Sequence, residues 1–199
     1  MGKSDDEKAV KAVLFDFDFT LADPSAWLIP AWIEALGVIG ERQPDPSILK
    51  GVVGRPLGAQ YARIVGEAPS GGRFETFERR YSAYRDRHAA TETVIFDGAA
   101  GALEALHHAG LILAIISSGA IHRIRAILSH ASLDRFFHVV KGGSKDKAPV
   151  ILSVTDSLGV DAGSAVYVGD HPEDCRAAVQ ARVGFIAVTT GAHTERRFS

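Results

Sequence analysis

Two aspartates one residue apart, Asp16 and Asp18, follow directly on the apolar run Val13-Leu14-Phe15, and Thr20 comes next at the same spacing. A β-branched and aromatic run of this kind predicts a buried parallel strand. Along an extended chain the two carboxylates point the same way; where the strand unwinds they share one crevice. Carboxylates this close repel each other unless a cation or a shared proton relieves them. The pattern therefore points to a metal or catalytic site, against the plainer reading in which acidic residues after a strand cap a helix.

Polar groups gather in the same way behind three later segments. Residues 111–116 run into Ser117 and Ser118, Lys145 and Lys147 stand just ahead of a helical stretch starting near Pro149, and residues 165–168 run into Gly169-Asp170-His171-Pro172-Glu173-Asp174. In a parallel sheet all these loops fall on one edge, at the carboxyl ends of the strands, where such sheets take their ligands. The converged inventory is a set of carboxylates, a small hydroxyl beside backbone N–H groups, and a lysine. It suits phosphoryl transfer. A carboxylate can attack phosphorus and split hydrolysis into two steps, and hard oxygen ligands select Mg²⁺. A hydroxyl, amides and a lysine can hold the equatorial oxygens while a second carboxylate carries a proton.

The elements that must position these groups alternate. Helical patterns at 99–109, 121–128, 149–158 and 172–182 are interleaved with strand patterns at 111–116, 136–140, 165–168 and 185–188. Such alternation predicts βαβ units, hence an α/β fold with a doubly wound parallel sheet. Between the first strand and this series, Asp23-Pro24-Ser25 opens a helix carrying Trp27, Leu28, Ala31, Trp32, Ala35 and Leu36. Arg55-Pro56-Leu57 opens another, and Phe74, Phe77, Tyr81, Tyr84 and His88 form one stripe of a third. The expected organisation is a core of residues 9–22 and 94–199 with an all-helical insertion at 23–93.

Composition narrows the function classes. The 199 residues are 46% hydrophobic and 23% charged, an ordinary globular balance. A net charge of −2 gives no basic footprint for nucleic acid. The single cysteine, Cys175, excludes an internal disulfide. No apolar run reaches membrane-spanning length, and residues 1–8 read as a polar tail without the apolar core of a signal peptide. The expectation is a soluble cytoplasmic protein with no nucleic-acid or membrane partner; oligomeric state stays open.

On these motifs, over nearly its whole length, the chain resembles the haloacid-dehalogenase superfamily hydrolases. Asp16-Phe17-Asp18-Phe19-Thr20 matches the first family motif, Ser117 the second, a lysine the third and Gly169-Asp170-x-x-x-Asp174 the fourth. The helical insertion resembles the cap of the phosphoglycolate-phosphatase-like branch, and Gly54-Arg55-Pro56-Leu57 is similar to a short cap motif there. The resemblance implies a Rossmann-like core under a helical cap, and a Mg²⁺-dependent phosphatase acting on a small phosphorylated metabolite through an aspartyl-phosphate. By it, Asp16 is the nucleophile and Asp18 the general acid/base. Mg²⁺ is bound by Asp16, the backbone carbonyl of Asp18 and Asp170, with Asp174 supporting it directly or through water. Thr20, Ser117, Ser118 and the lysine contact the phosphoryl group, and Arg55 is the candidate for an anionic end of the substrate.

The chain departs from the family pattern in places. Phe19 stands where glycine is common. The third-motif lysine is Lys145 or Lys147, and the pattern Lys147-Ala148-Pro149-Val150-Ile151 favours the latter. The chain stops at Ser199, where relatives often add a strand and a helix. A sugar phosphomutase on the same core, and a non-catalytic binding protein on this fold, are the alternatives. A phosphonatase would need a cap lysine, for which only Lys50 is available. Cys175, Trp27 and Trp32 are expected in the core, His88 is divided between packing and lining the cap, and His171 is expected to face solvent.

Overall fold

The computed structural model describes residues 9–53, 55–144 and 146–191, apart from the side chain of Lys50. The expectations for residues 1–8, Gly54, the Lys50 side chain, Lys145 and Ser199 lie outside the described residues. Among those described, a five-stranded parallel sheet carries the fold. In chain order the elements are β1 (Ala12–Phe15), β2 (Ala22–Asp23), α1 (Ser25–Val38), α2 (Pro46–Lys50), α3 (Leu57–Val65), α4 (Gly71–Glu92), β3 (Val94–Ile95) and α5 (Ala99–His108). They continue with β4 (Ile112–Ile116), α6 (Ile121–His130), β5 (Val139–Lys141), α7 (Lys147–Ser157), β6 (Ala165–Gly169), α8 (Pro172–Ala181) and β7 (Gly184–Ala187).

The sheet runs β5-β4-β1-β6-β7. β1 is buried at every residue because it is central and covered on both faces, which is why its sequence reads as an unbroken apolar run. Its alternate side chains serve two separate cores. Ala12 and Leu14 face Ile151 and Val154 of α7 and Ala178 of α8, whereas Val13 and Phe15 face Leu103 of α5 and Ile124 and Leu128 of α6. Helices on both faces make the sheet doubly wound. The chain leaves β1 toward β4 and leaves β6 toward β7, so the strand order reverses between β1 and β6. At that switch point the loops part and leave a crevice, with Asp16 ending one strand and Asp170 the other.

The expected insertion is helical, with a border the sequence did not disclose. β2 and β3 pair antiparallel, Ala22 opposite Ile95 and Asp23 opposite Val94, which draws the two ends of the helical segment together. α1 and α4 pack on each other over a third core of Trp27, Trp32, Leu36, Tyr61, Phe77 and Tyr81. Trp27 and Trp32 are buried as expected, and the Trp27 indole N–H donates to Thr93 Oγ1 at 2.9 Å. Phe19, from the turn after β1, joins this third core and ties it to the sheet.

Candidate active site

Asp16 is 1% exposed at the carboxyl end of β1, its backbone N–H held by the Val168 carbonyl of β6 at 2.9 Å. One carboxylate oxygen of Asp16, one of Asp170 and one of Asp174 lie within 4.8 Å of one another. Lys147 enters from α7. Its Nζ sits 3.1 Å from Asp16 Oδ2 and 2.6 Å from Asp174 Oδ1, over the ring of Tyr167 on β6. α7 starts two residues before the Pro149 expected from sequence, because the Asp146 side chain caps it by accepting from the Ala148 N–H at 3.2 Å. Lys147 is therefore the first residue of the helix rather than part of the preceding loop, and the Asp146 cap fixes its place.

Asp174 is fully buried and pinned from two sides: Lys147 donates to Oδ1, and the His171 backbone N–H donates to Oδ2 at 3.1 Å. Gly169 allows the approach, since a Cβ there would lie 2.5 Å from Asp174 Oδ2. Thr20 donates its hydroxyl to Asp170 Oδ1 at 3.1 Å, so it orients an acidic residue from within the cluster. His171 does not face solvent. It is 4% exposed and caps α8, its Nδ1 accepting from the Glu173 N–H at 3.1 Å, which satisfies a donor the helix would otherwise leave open.

Three buried carboxylates around one lysine leave negative charge in excess, and the electrostatics follow. Burial pushes the Asp16 carboxyl up to about 6, with Asp174 and Asp18 adding to the rise and Lys147 opposing it. Asp170 is pushed up to about 8 by burial first and then by Asp16 and Asp174. Burial works against the Lys147 charge, but Asp16, Tyr167 and Asp174 outweigh it and hold the ammonium well above the usual lysine range. Asp16 Oδ1 is buried with no hydrogen-bond partner. An all-oxygen donor set with surplus charge and an unsatisfied oxygen fits a hard divalent cation such as Mg²⁺.

Asp18 stands apart from this cluster. Its carboxylate is paired with Arg123 of α6, and it lines a crevice of about 80 Å³ between the sheet edge and the helical insertion, with Trp27, Tyr81, Arg55, Ser118 and Arg123. Ser117 follows directly on β4, is 1% exposed and accepts from the Gly119 N–H at 3.2 Å, while Ser118 is half-buried at the crevice. Arg55 reaches Glu173 of α8 at 3.3 Å with both side chains well exposed, so it bridges insertion and core at the crevice rim. His88 stacks on Tyr84 with its Nδ1 2.7 Å from Glu92, a packing role. Sequence reasoning missed Arg123 and Tyr167; the available signal for Arg123 was a basic residue on an apolar helix face, six positions after Ser117. Among the described residues no helix is long and apolar enough to cross a membrane.

Comparison with known proteins agrees with this geometry. The chain is 29% identical to IndB, a probable phosphatase of Dickeya dadantii, across 92% of this chain and 82% of IndB. It is also 29% identical to the tyrosine-protein kinase PtkA of Mycobacterium tuberculosis, across 90% of this chain but only 62% of PtkA. The crystal structure of a haloacid dehalogenase-like hydrolase from Bacteroides fragilis superposes with a TM-score of 0.89 at 27% identity, covering 95% of this chain and 92% of the other. The sequence profile of the haloacid dehalogenase-like hydrolases matches residues 13–188. A match over that span, on a sheet whose strand ends carry these groups, places the chain in the haloacid dehalogenase-like hydrolase family.

Proposed function

We propose that the protein is a Mg²⁺-dependent phosphatase that hydrolyses a small phosphorylated metabolite through an aspartyl-phosphate on Asp16. One observation carries the reading: Asp16, at the switch point, keeps one oxygen on Lys147 and the other without a partner. In the first step an Asp16 oxygen bonds to phosphorus as the ester P–O bond breaks, and the Asp18 carboxyl gives its proton to the leaving oxygen. In the second, water attacks phosphorus and passes a proton to Asp18, and the bond to Asp16 breaks to release phosphate. Lys147, Ser117 and the amides beside it are placed to hold the phosphoryl oxygens. Asp16, Asp170 and the Asp18 carbonyl would hold the metal, with Asp174 in support; bound there, it would neutralise the buried carboxylates and draw charge off the phosphoryl group.

The phosphatase name of IndB supports hydrolysis. The crevice supports a small substrate: at about 80 Å³ it is well below an ordinary ligand pocket, so the helical segment at 23–93, acting as a cap, must open to admit substrate and close over it. A larger cavity of about 390 Å³ lies beyond Arg55 and reaches Lys147; Asp16 lines neither space, but Asp18 lines the crevice and not the cavity, so the proton-carrying role favours the crevice. The phosphomutase alternative shares the same first step and differs in what accepts the phosphoryl group.

The test is turnover of small phosphate esters with Mg²⁺ and with excess chelator, joined to intact-mass detection of the phospho-enzyme. Chelation should abolish turnover, and Asp16→Asn should remove both turnover and the added phosphoryl mass. Full activity in chelator refutes the metal, near wild-type activity in Asp16→Asn refutes the covalent route, and a phosphorylated acceptor in place of free phosphate refutes hydrolysis.

A further inference from the structure

Arg123 sits in the first turn of α6 and closes a planar fork on Asp18: Nη1 donates to Oδ1 at 2.8 Å and Nη2 donates to Oδ2. The pair is buried, Arg123 at 5% exposure and Asp18 at 8%. The guanidinium carbon lies 5.3 Å from the Trp27 ring centre and 5.9 Å from that of Phe17, so one aromatic from the insertion and one from the β1 turn grip it. Gly119, in the loop between β4 and α6, makes the room. A Cβ at that position would lie 2.1 Å from Nη2 and 3.2 Å from Asp18 Oδ2.

A buried ion pair is a weak device for stability, because desolvating both charges offsets most of their attraction. It is a strong device for direction. A bidentate fork fixes both the plane and the heading of a carboxylate. It occupies one lone pair on each oxygen and leaves the others available. Asp18 and Arg123 both line the crevice, so the held carboxylate still borders the space that the proposed function gives to the leaving group.

We propose that Arg123 is a positioning residue that aims the Asp18 carboxylate at the leaving oxygen, and that Trp27, by covering the guanidinium, ties this aim to a seated cap. The inference rests on the reading of Asp18 as the proton carrier. It separates substrates by leaving group: an alkoxide needs the proton that Asp18 supplies, whereas a nitrophenolate leaves without it.

The experiment compares wild type, Arg123→Met, Arg123→Lys, Gly119→Ala and Asp18→Asn on an alkyl phosphate and on p-nitrophenyl phosphate. The rate to read is phospho-enzyme formation, followed as alcohol or nitrophenol released in a single turnover, because the second step and its use of Asp18 are common to both esters. Arg123→Met should lower that rate on the alkyl ester about 10- to 100-fold more than on the aryl ester, the scale set by a misplaced catalytic group. Half-saturation of that single-turnover rate should stay within about twofold on both, because the fork acts on the reacting step. Arg123→Lys should recover part of the loss by restoring charge without the fork. Gly119→Ala keeps the arginine and pushes its guanidinium off Asp18, so it should show the same selective loss even if Arg123→Met folds poorly. Equal losses on both esters in the arginine and glycine variants, with Asp18→Asn still selective, overturn the role of Arg123. If Asp18→Asn is itself unselective in that first step, the proton-carrier reading fails and the inference falls with it.

Discussion

Phe19 stands where the family motif commonly has glycine, and its backbone explains that preference: φ is +59°, in the left-handed region. Here the side chain compensates for the strained backbone, since Phe19 is 2% exposed among the aromatics of the helical insertion. Two opposed effects can be separated by truncation. Phe19→Ala and Phe19→Gly both lose the buried ring, at about 3–5 kcal/mol for a core phenylalanine. Glycine alone also relieves the left-handed strain, worth roughly 1–2 kcal/mol. Phe19→Gly should therefore be the more stable of the two in urea denaturation, by about 1 kcal/mol, the reverse of the usual order; equal midpoints would contradict the strain. At this scale the sequence was legible wherever a residue's meaning lay in its neighbours. Asp16, Ser117 and Asp170 announce themselves as polar groups ending apolar runs. Arg123 does not, because its meaning is a contact across 105 positions.

The elements were legible where periodicity is long, and less so where a few side chains decide. The alternation of short apolar runs with 3.6-residue patterns identified the parallel sheet and its helices, but strands of two residues carry no pattern, so the β2–β3 pairing was invisible. The start of α8 is the instructive case. His171 reads as a surface residue in a polar loop, yet its Nδ1 caps the helix while the Asp174 carboxylate accepts the His171 N–H, a reciprocal arrangement that fixes the helix end against the site. Removing the side-chain half of that box, His171→Ala, should cost about 0.5–2 kcal/mol, as other lost caps do. His171→Asn, whose amide oxygen can accept the same N–H, should cost distinctly less. Urea midpoints for the two variants decide it, and an asparagine as damaging as alanine would show that the ring, not the cap, matters.

For the molecule as a whole, the crowded carboxylates couple stability to pH and, under the proposed function, to a divalent cation. Asp16 and Asp170 are raised from an ordinary 3.8 to about 6 and about 8. Between pH 4 and pH 8 the folded chain therefore binds more protons at these positions than the unfolded chain does. Stability rises with pH only where the unfolded state binds the more protons, so here the sign is negative. In chelator, the contributions of both residues should fall together from about pH 4 to about pH 6, where the Asp16 loss is complete, and the Asp170 contribution alone should go on falling to about pH 8. A divalent cation held by the deprotonated cluster, as proposed, would stabilise only the folded state, so its effect should grow as the protons leave. Thermal unfolding at pH 5 and at pH 8, with and without Mg²⁺, should show a Tm increase that is small at pH 5 and clearly larger at pH 8. Asp170→Asn should weaken the pH dependence most above pH 6, because it removes the group that titrates last. A Mg²⁺ shift of equal size at both pH values would mean that cation binding is not coupled to these carboxylates, and would remove the electrostatic ground for placing the metal among them.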